Sequence, residues 1–309
     1  MTSPPGDRME GPLPLSPERA WYVACESSAL RRGPMGVTVL ERPIVLFRTA
    51  DGAAQALVDR CPHRNVPLSL GKMRGDQLEC AYHGWRFTGD GDCQFVPGLV
   101  EQRPSPARCA VPHAVREQDG VVWVWARPDD TPDREPFRFP HLDDRRYTTL
   151  RQGVEAEASL LDVAENAMDV PHTAYLHGGL FRNANGPRND IEVILKRWPD
   201  RVEAEYLGEP RPPGIIAKVL APRGGTVEHV DRFLLPSIVQ VEYRLGDATH
   251  WCATAALTPV TPRRTRLYAF LSFRLPLPGW LVTPVLRPLA MKVYTQDADM
   301  LREQTRNVG

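Results

Sequence analysis

Two short stretches pair a thiol with an imidazole. Cys61-Pro62-His63-Arg64 and Cys80-Ala81-Tyr82-His83-Gly84-Trp85 each place one cysteine and one histidine two or three positions apart, and 16 residues separate His63 from Cys80. Two thiolates and two imidazoles can hold tetrahedral zinc, but zinc sites usually pair cysteines about two to four residues apart, and C-x-H departs from that spacing. A [2Fe–2S] cluster with two thiolates on one iron and two imidazoles on the other suits the set better, each hairpin supplying one sulfur and one nitrogen. A second group lies downstream, where Asn166, Asp169, His172 and His177 form N-x-x-D-x-x-H-x-x-x-x-H. His172 and His177 lie beyond the helix stop at Pro171 and can converge on one ion. They would fill two corners of a two-histidine-one-carboxylate triad that leaves positions open on ferrous iron.

The first pattern resembles the Rieske cluster motif, and the two patterns in this order resemble the Rieske-type non-heme iron oxygenases. By that resemblance Cys61 and Cys80 hold one iron of the cluster and His63 and His83 the other, with Tyr82 and Trp85 shielding it. Neither loop carries the extra cysteine of the respiratory Rieske proteins, which leaves the oxygenase and ferredoxin types. The resemblance further implies a mononuclear Fe(II) held by His172, His177 and an acid on the last helix. Gln296-Asp297, followed by Gln304, matches the family pattern with Asp297 as ligand. Asp299 is the competitor, about 200° around the helix from Asp297, so the two cannot face one ion. Asp169 is implied as the acid that links the iron site to a Rieske histidine of a neighbouring subunit in a homotrimer, with Asn166 as a supporting polar residue. A catalytic domain with an antiparallel sheet and helices, helix-grip-like, is implied to follow the Rieske domain.

These residues need elements to hold them. Strand signals at Val37–Leu40, Ile44–Arg48 and Ala54–Val58, with Asp51-Gly52 as a turn, precede short candidates at Leu78–Cys80 and Trp85–Thr88 and an apolar one at Val121–Trp125. We therefore expect an α+β chain: a flexible tail over 1–18, a small β domain over 19–128 bearing the cluster, a proline-rich linker over 129–149 and a catalytic domain over 150–309. In the last, Ser159 to Asp169 has helical spacing with Ser159 as N-cap. Alternating segments follow at Ile191–Ile194, Val202–Tyr206, Val227–Leu235, Ile238–Leu245, His250–Leu257 and Arg266–Phe273, and a helix from Val285 or Leu289 to Asn307 closes the chain. Leu160, Leu161, Met168, Ile238 and Phe270 are expected near the walls of an apolar pocket.

Composition narrows the partners. Lysine plus arginine equals aspartate plus glutamate at 38 each, so there is no global attraction to nucleic acid or an anionic membrane. The 31 prolines are roughly twice the usual ~5% share and disfavour a helical bundle. Leu275 to Met291 is interrupted by four prolines and Arg287, which argues against a membrane span. Six cysteines are too sparse for a disulfide scaffold; Cys25, Cys93, Cys109 and Cys252 read as free thiols in a cytoplasmic protein. No G-x-G-x-x-G follows a strand, so electrons would come from a separate reductase or ferredoxin. The expected reaction is O₂-dependent oxidation of a hydrophobic small molecule by hydroxylation, demethylation or desaturation. A non-catalytic Rieske electron carrier is the alternative.

Overall fold

The computed structural model describes residues 17–31, 33–178, 190–209, 227–246, 249–275 and 277–308. The expected tail lies outside the described residues except for Pro17 and Glu18. The first part of the chain is all β. It comprises β1 (Trp21–Glu26), β2 (Met35–Val39), β3 (Arg42–Arg48), β4 (Ala54–Val58), β5 (Lys72–Arg74), β6 (Gln77–Glu79), β7 (Arg86–Phe87), β8 (Cys93–Phe95), β9 (Pro112–His113), β10 (Val115–Gln118) and β11 (Val121–Trp125). These form three small antiparallel sheets, β1-β11-β10, β2-β3-β4-β9 and β5-β6-β7-β8. At the tip between β3 and β4 the Asp51-Gly52 turn needs a left-handed residue, and Gly52 supplies it at φ +90°.

β11 reads Val-Val-Trp-Val-Trp without alternation because both its faces are covered. Val122 and Val124 pack with Tyr22, Ile44 and Leu46, while Trp123 and Trp125 pack with Phe139, Ile238 and Phe270. The strand thus joins the two halves of the molecule, each large side chain contributing roughly 1.5–3 kcal/mol by burial. The proline-rich stretch after it is held against the same core. Trp21 Nε1 donates to Arg134 O at 2.7 Å, Trp125 Nε1 to Asp130 Oδ2 at 2.9 Å, and Phe139 stacks on Phe270 at 3.7 Å.

The second part holds β12 (Thr148–Ala156), α1 (Leu160–Met168), α2 (His172–Tyr175), β13 (Glu192–Trp198), β14 (Arg201–Leu207), β15 (Val227–Leu234), β16 (Ile238–Leu245), β17 (Thr249–Thr261), β18 (Arg264–Arg274) and α3 (Gly279–Asn307). Its seven-stranded antiparallel sheet has the order β12-β18-β17-β16-β15-β14-β13, so the α+β class and the antiparallel catalytic sheet hold. Sequence reading missed β12 because Arg151, Gln152 and Glu155 interrupt its apolar pattern; pairing with β18 along its whole length makes it a strand.

The last helix is longer than expected. It begins at Gly279 and runs through Pro284 and Pro288. A proline removes one helical hydrogen bond, but these two are four apart on the exposed face, where water can reach the freed carbonyls. On the opposite stripe Val282 and Leu286 pack with Leu150, Leu271 and Phe273, and Leu301 packs with Val163 and Ala164 of α1. This packing carries α3 across the sheet to the end of α1.

Candidate metal centres

The two cysteine–histidine loops are near copies of each other. Cys61 N donates to Val66 O at 2.9 Å and Asn65 N to Cys61 O at 2.9 Å; Cys80 N donates to Trp85 O at 2.8 Å and Gly84 N to Cys80 O at 3.1 Å. Each loop therefore closes over the same span, and each has a left-handed residue four positions after its cysteine, Asn65 at φ +58° and Gly84 at φ +68°. Asparagine and glycine are the residues that adopt that conformation at least expense. Both thiols are buried, Cys61 and Cys80 sitting in a core with Leu68, Leu78 and Phe87. Both imidazoles are exposed, 4.7 Å apart and edge-on. Trp85 lies flat on His63 at 4.7 Å and Tyr82 lies 3.8 Å from His83, so both aromatics touch the candidate ligands.

Burial pushes the Cys61 thiol up to about 11, with Cys80 beside it adding to the shift, while the backbone N–H groups of His63 and Arg64 work the other way. Without a cation the Cys61 thiol stays protonated at neutral pH; a bound metal ion makes a thiolate of it. Two sulfurs inside, two nitrogens outside and amides directed at sulfur fit a [2Fe–2S] cluster with mixed ligation.

The second centre begins with α1. Ser159 caps it, accepting from Asp162 N at 3.1 Å while Asp162 Oδ2 takes Ser159 N at 3.3 Å. Asp169 leaves the helix in extended conformation, and α2 follows Pro171 as a single turn. This bend brings the His172 and His177 rings to 5.2 Å. From α3, Asp297 Oδ1 comes to 3.0 Å from His177 Nε2 and 3.5 Å from His172 Nε2. Among the described residues this trio is the one group of three or more histidine, cysteine or acidic side chains whose ligand atoms all lie within 4.8 Å of one another. Asp299 points away and pairs with Arg302 at 2.9 Å.

Two features of the trio favour a cation. His177 Nδ1 faces Gln296 Oε1 at 3.1 Å; a carbonyl oxygen only accepts, so Nδ1 donates and the lone pair of Nε2 points at the carboxylate. Asp297 Oδ1 is itself buried without a well-formed hydrogen bond among the described residues. Burial pushes the Asp297 carboxyl up, but with no metal bound the protonated forms of His172 and His177 more than offset that and hold it below the usual range. Burial likewise opposes charging His172, and Asp297, then Asp169, outweigh it and hold its pKa above the usual value. Asp169 Oδ2 lies 3.7 Å from His172 Nδ1 and its side chain is half exposed. It faces a surface depression shared with Asn166, Tyr175 and Gln304.

Above the trio lies a cavity of about 240 Å³, and its walls differ from those expected. Leu161 is exposed, and Ile238 and Phe270 point to the opposite face of the sheet against Trp21 and Trp123. Leu160 and Met168 are partly buried beside the α1 core and do not line the cavity. The side chains one position along, Val239 and Leu271, form the wall together with Val241, Ala253, Leu286 and Val293. Strand side chains alternate between faces, so a one-residue choice decides which set sees the cavity. Asn166, His229 and Asp231 are among its polar members, with Tyr243, Thr254 and Tyr294. Sequence reading missed Gln296, His229 and Asp231; the available signal was that His229 and Asp231 share one face of an alternating strand with Phe233.

Known proteins carry the same two parts. The Rieske [2Fe–2S] domain family matches residues 20–111, and the vanillate O-demethylase oxygenase C-terminal domain family matches residues 156–309. The chain is 28% identical to the vanillate O-demethylase oxygenase subunit of a Pseudomonas species over 95% of its own length and 87% of the relative's. It is 34% identical to the dicamba O-demethylase oxygenase component of Stenotrophomonas maltophilia, over 57% of the chain and about half (52%) of that relative. The crystal structure of dicamba monooxygenase bound to 3,6-dichlorosalicylic acid superposes with a TM-score of 0.80 at 25% identity, covering 94% of this chain and 88% of that one.

Proposed function

Because the chain belongs to the Rieske-type non-heme iron oxygenases, we propose that it is a terminal oxygenase that oxidises a hydrophobic small molecule with O₂ and electrons from a separate reductase or ferredoxin. The observation that carries this reading is the convergence of His172, His177 and Asp297 at the floor of an apolar cavity, in a chain that also bears the two cluster loops. A pure electron carrier would have no need to keep such a trio under a cavity. Demethylation is the favoured reaction, since both curated relatives described above are named O-demethylases.

Cys61, Cys80, His63 and His83 would hold the [2Fe–2S] cluster, and His172, His177 and Asp297 a mononuclear Fe(II). When bound, the cluster would supply single electrons and the iron would activate O₂. The protein's own residues do the positioning. Gln296 Oε1 holds the proton on His177 Nδ1 and so keeps Nε2 free to ligate. Asp169 Oδ2 stands 3.7 Å from His172 Nδ1, beyond hydrogen-bond length but near enough to favour a proton there, while half of the side chain faces outward. His63 and His83 are exposed as well, which suits a route from one subunit's cluster to the next subunit's Asp169 in a homotrimer. The apolar walls keep water from the reacting atoms. We place the protein in the cytoplasm, its six cysteines being too sparse for the disulfide scaffold of a secreted domain. No helix among the described residues is long and apolar enough to cross a membrane.

The test is a screen of aryl methyl ethers and methylamines with a surrogate reductase, reading O₂ consumption and formaldehyde together. Coupled formaldehyde release with about three irons per chain is the expected result. About two irons, with no substrate-stimulated O₂ uptake, would leave the electron-carrier reading.

A further inference from the structure

Away from the trio the cavity is mainly apolar, with a buried polar cluster on one part of its sheet wall. There β15 turns His229 and Asp231 inward, opposite Tyr243 and Val241 of β16. His229 is held on all sides. Its Nδ1 lies 2.6 Å from Glu209 Oε2 and its Nε2 2.8 Å from Asp231 Oδ1. Its faces lie against Tyr206 at 4.2 Å and Tyr243 at 3.9 Å, within 15° of parallel. Glu209, His229 and Asp231 are 6%, 1% and 2% exposed. A ring clamped at both edges and both faces cannot turn, so it fixes the Asp231 carboxylate through Oδ1. The other oxygen is different: Asp231 Oδ2 is buried with no hydrogen-bond partner among the described residues. Buried carboxylate oxygens are normally satisfied, and an unsatisfied one beside a cavity points to a ligand that completes it.

We propose that Asp231 is the substrate-recognition residue of this cavity, its Oδ2 accepting a hydrogen bond from an amine or hydroxyl on an otherwise apolar, ring-bearing substrate. The inference rests on the reading of the cavity as the substrate site. His229 is a positioning residue that holds the carboxylate. An anionic substrate group beside Asp231 would meet like charge, so the same carboxylate selects against carboxylic acids. A neutral substrate without a donor would leave Oδ2 buried and unpaired, the arrangement that gives hydrogen-bonding sites their discrimination.

The experiment uses the full chain loaded with cluster and iron, kept anaerobic, and titrated calorimetrically with four probes of similar size: 4-methoxybenzylamine, 4-methoxybenzyl alcohol, 4-ethylanisole and 4-methoxybenzoate. The amine, the alcohol or both should bind about 10- to 100-fold more tightly than 4-ethylanisole, with the benzoate weakest. Which of the two binds tighter tells whether a charged or a neutral donor is preferred. Asp231→Leu should erase the preference. Asp231→Asn should keep most of the alcohol's affinity, because the amide oxygen still accepts, and lose most of the amine's advantage. The wild-type series stands alone if either variant misfolds. Equal affinity across the four probes, absence of binding included, or a preference that survives Asp231→Leu, overturns the proposal. Formaldehyde release is measured separately: a donor preference without any turnover supports this site and counts against the oxygenase reading.

Discussion

Replacing Gln296 by leucine removes one hydrogen-bond acceptor at nearly constant volume. In the folded protein that acceptor lies 3.1 Å from His177 Nδ1 and fixes the tautomer whose Nε2 lone pair points at Asp297 Oδ1, 3.0 Å away. Without it the neutral imidazole can carry its proton on either nitrogen, and the ring loses one of its restraints. Hydrogen bonds of this outer kind are worth about 10- to 100-fold in metal affinity, which is roughly 1.4–2.8 kcal/mol. Gln296→Glu keeps an acceptor in place and adds charge, so it should hold iron at least as well as the native residue. The assay titrates mononuclear iron with a ferrous chelator, the visible Rieske absorption serving as internal standard for folded chains. The chelator concentration that removes half the iron should fall by about the same 10- to 100-fold in Gln296→Leu, with the Rieske spectrum unchanged. Wild-type iron retention in Gln296→Leu would refute the reasoning. So would a loss in Gln296→Glu as large as in Gln296→Leu, since that would make packing the cause.

Asp297→Ala should lose the mononuclear iron and turnover, whereas Asp299→Ala should change stability by no more than about 0.5 kcal/mol and leave iron content intact; the reverse pattern would transfer the ligand to Asp299. Cys61→Ser or His83→Ala should abolish the visible and reduced-state EPR signature of the cluster while the far-ultraviolet spectrum of the catalytic half persists, and an unchanged EPR spectrum would refute the cluster assignment. Asp169→Asn should keep both metal centres but slow electron transfer by orders of magnitude. Mixing it with Cys61→Ser chains should restore part of the activity once subunits exchange; no rescue after demonstrated exchange would rule out the inter-subunit route.

The cluster loops were legible in the sequence because everything that shapes them is local. Each cysteine and its histidine lie two or three residues apart, and each loop closes on its own backbone with Asn65 or Gly84 at the turn. The same holds for the capped α1 and for the bend at Pro171 that turns His172 and His177 together. The alternation along β16 likewise announced a strand in advance. The family resemblance favoured Asp297 over Asp299, but periodicity along α3 could not rank them. The packing of Leu301 and Ala298 against α1 turns Asp297 inward and leaves Asp299 with Arg302.

The cavity was the least legible part. Period-two alternation says that Ile238 and Val239 face opposite ways, yet not which way is the cavity. That depends on Trp21, Trp123 and Phe139 covering one face of the sheet, so that Val239, Asp231 and His229 are left to line the other. The start of α3 escaped for a related reason. Pro284 and Pro288 break a helix on local grounds, and they are tolerated because the opposite stripe is anchored by Val282 and Leu286 on the sheet, including Leu150 from a distant part of the sequence. Short-range geometry therefore determined the ligands that lie on one turn of chain. Long-range burial decided the third candidate ligand, the walls and the unpaired Asp231 oxygen, because it chooses faces, and a face has no signature within the segment that carries it.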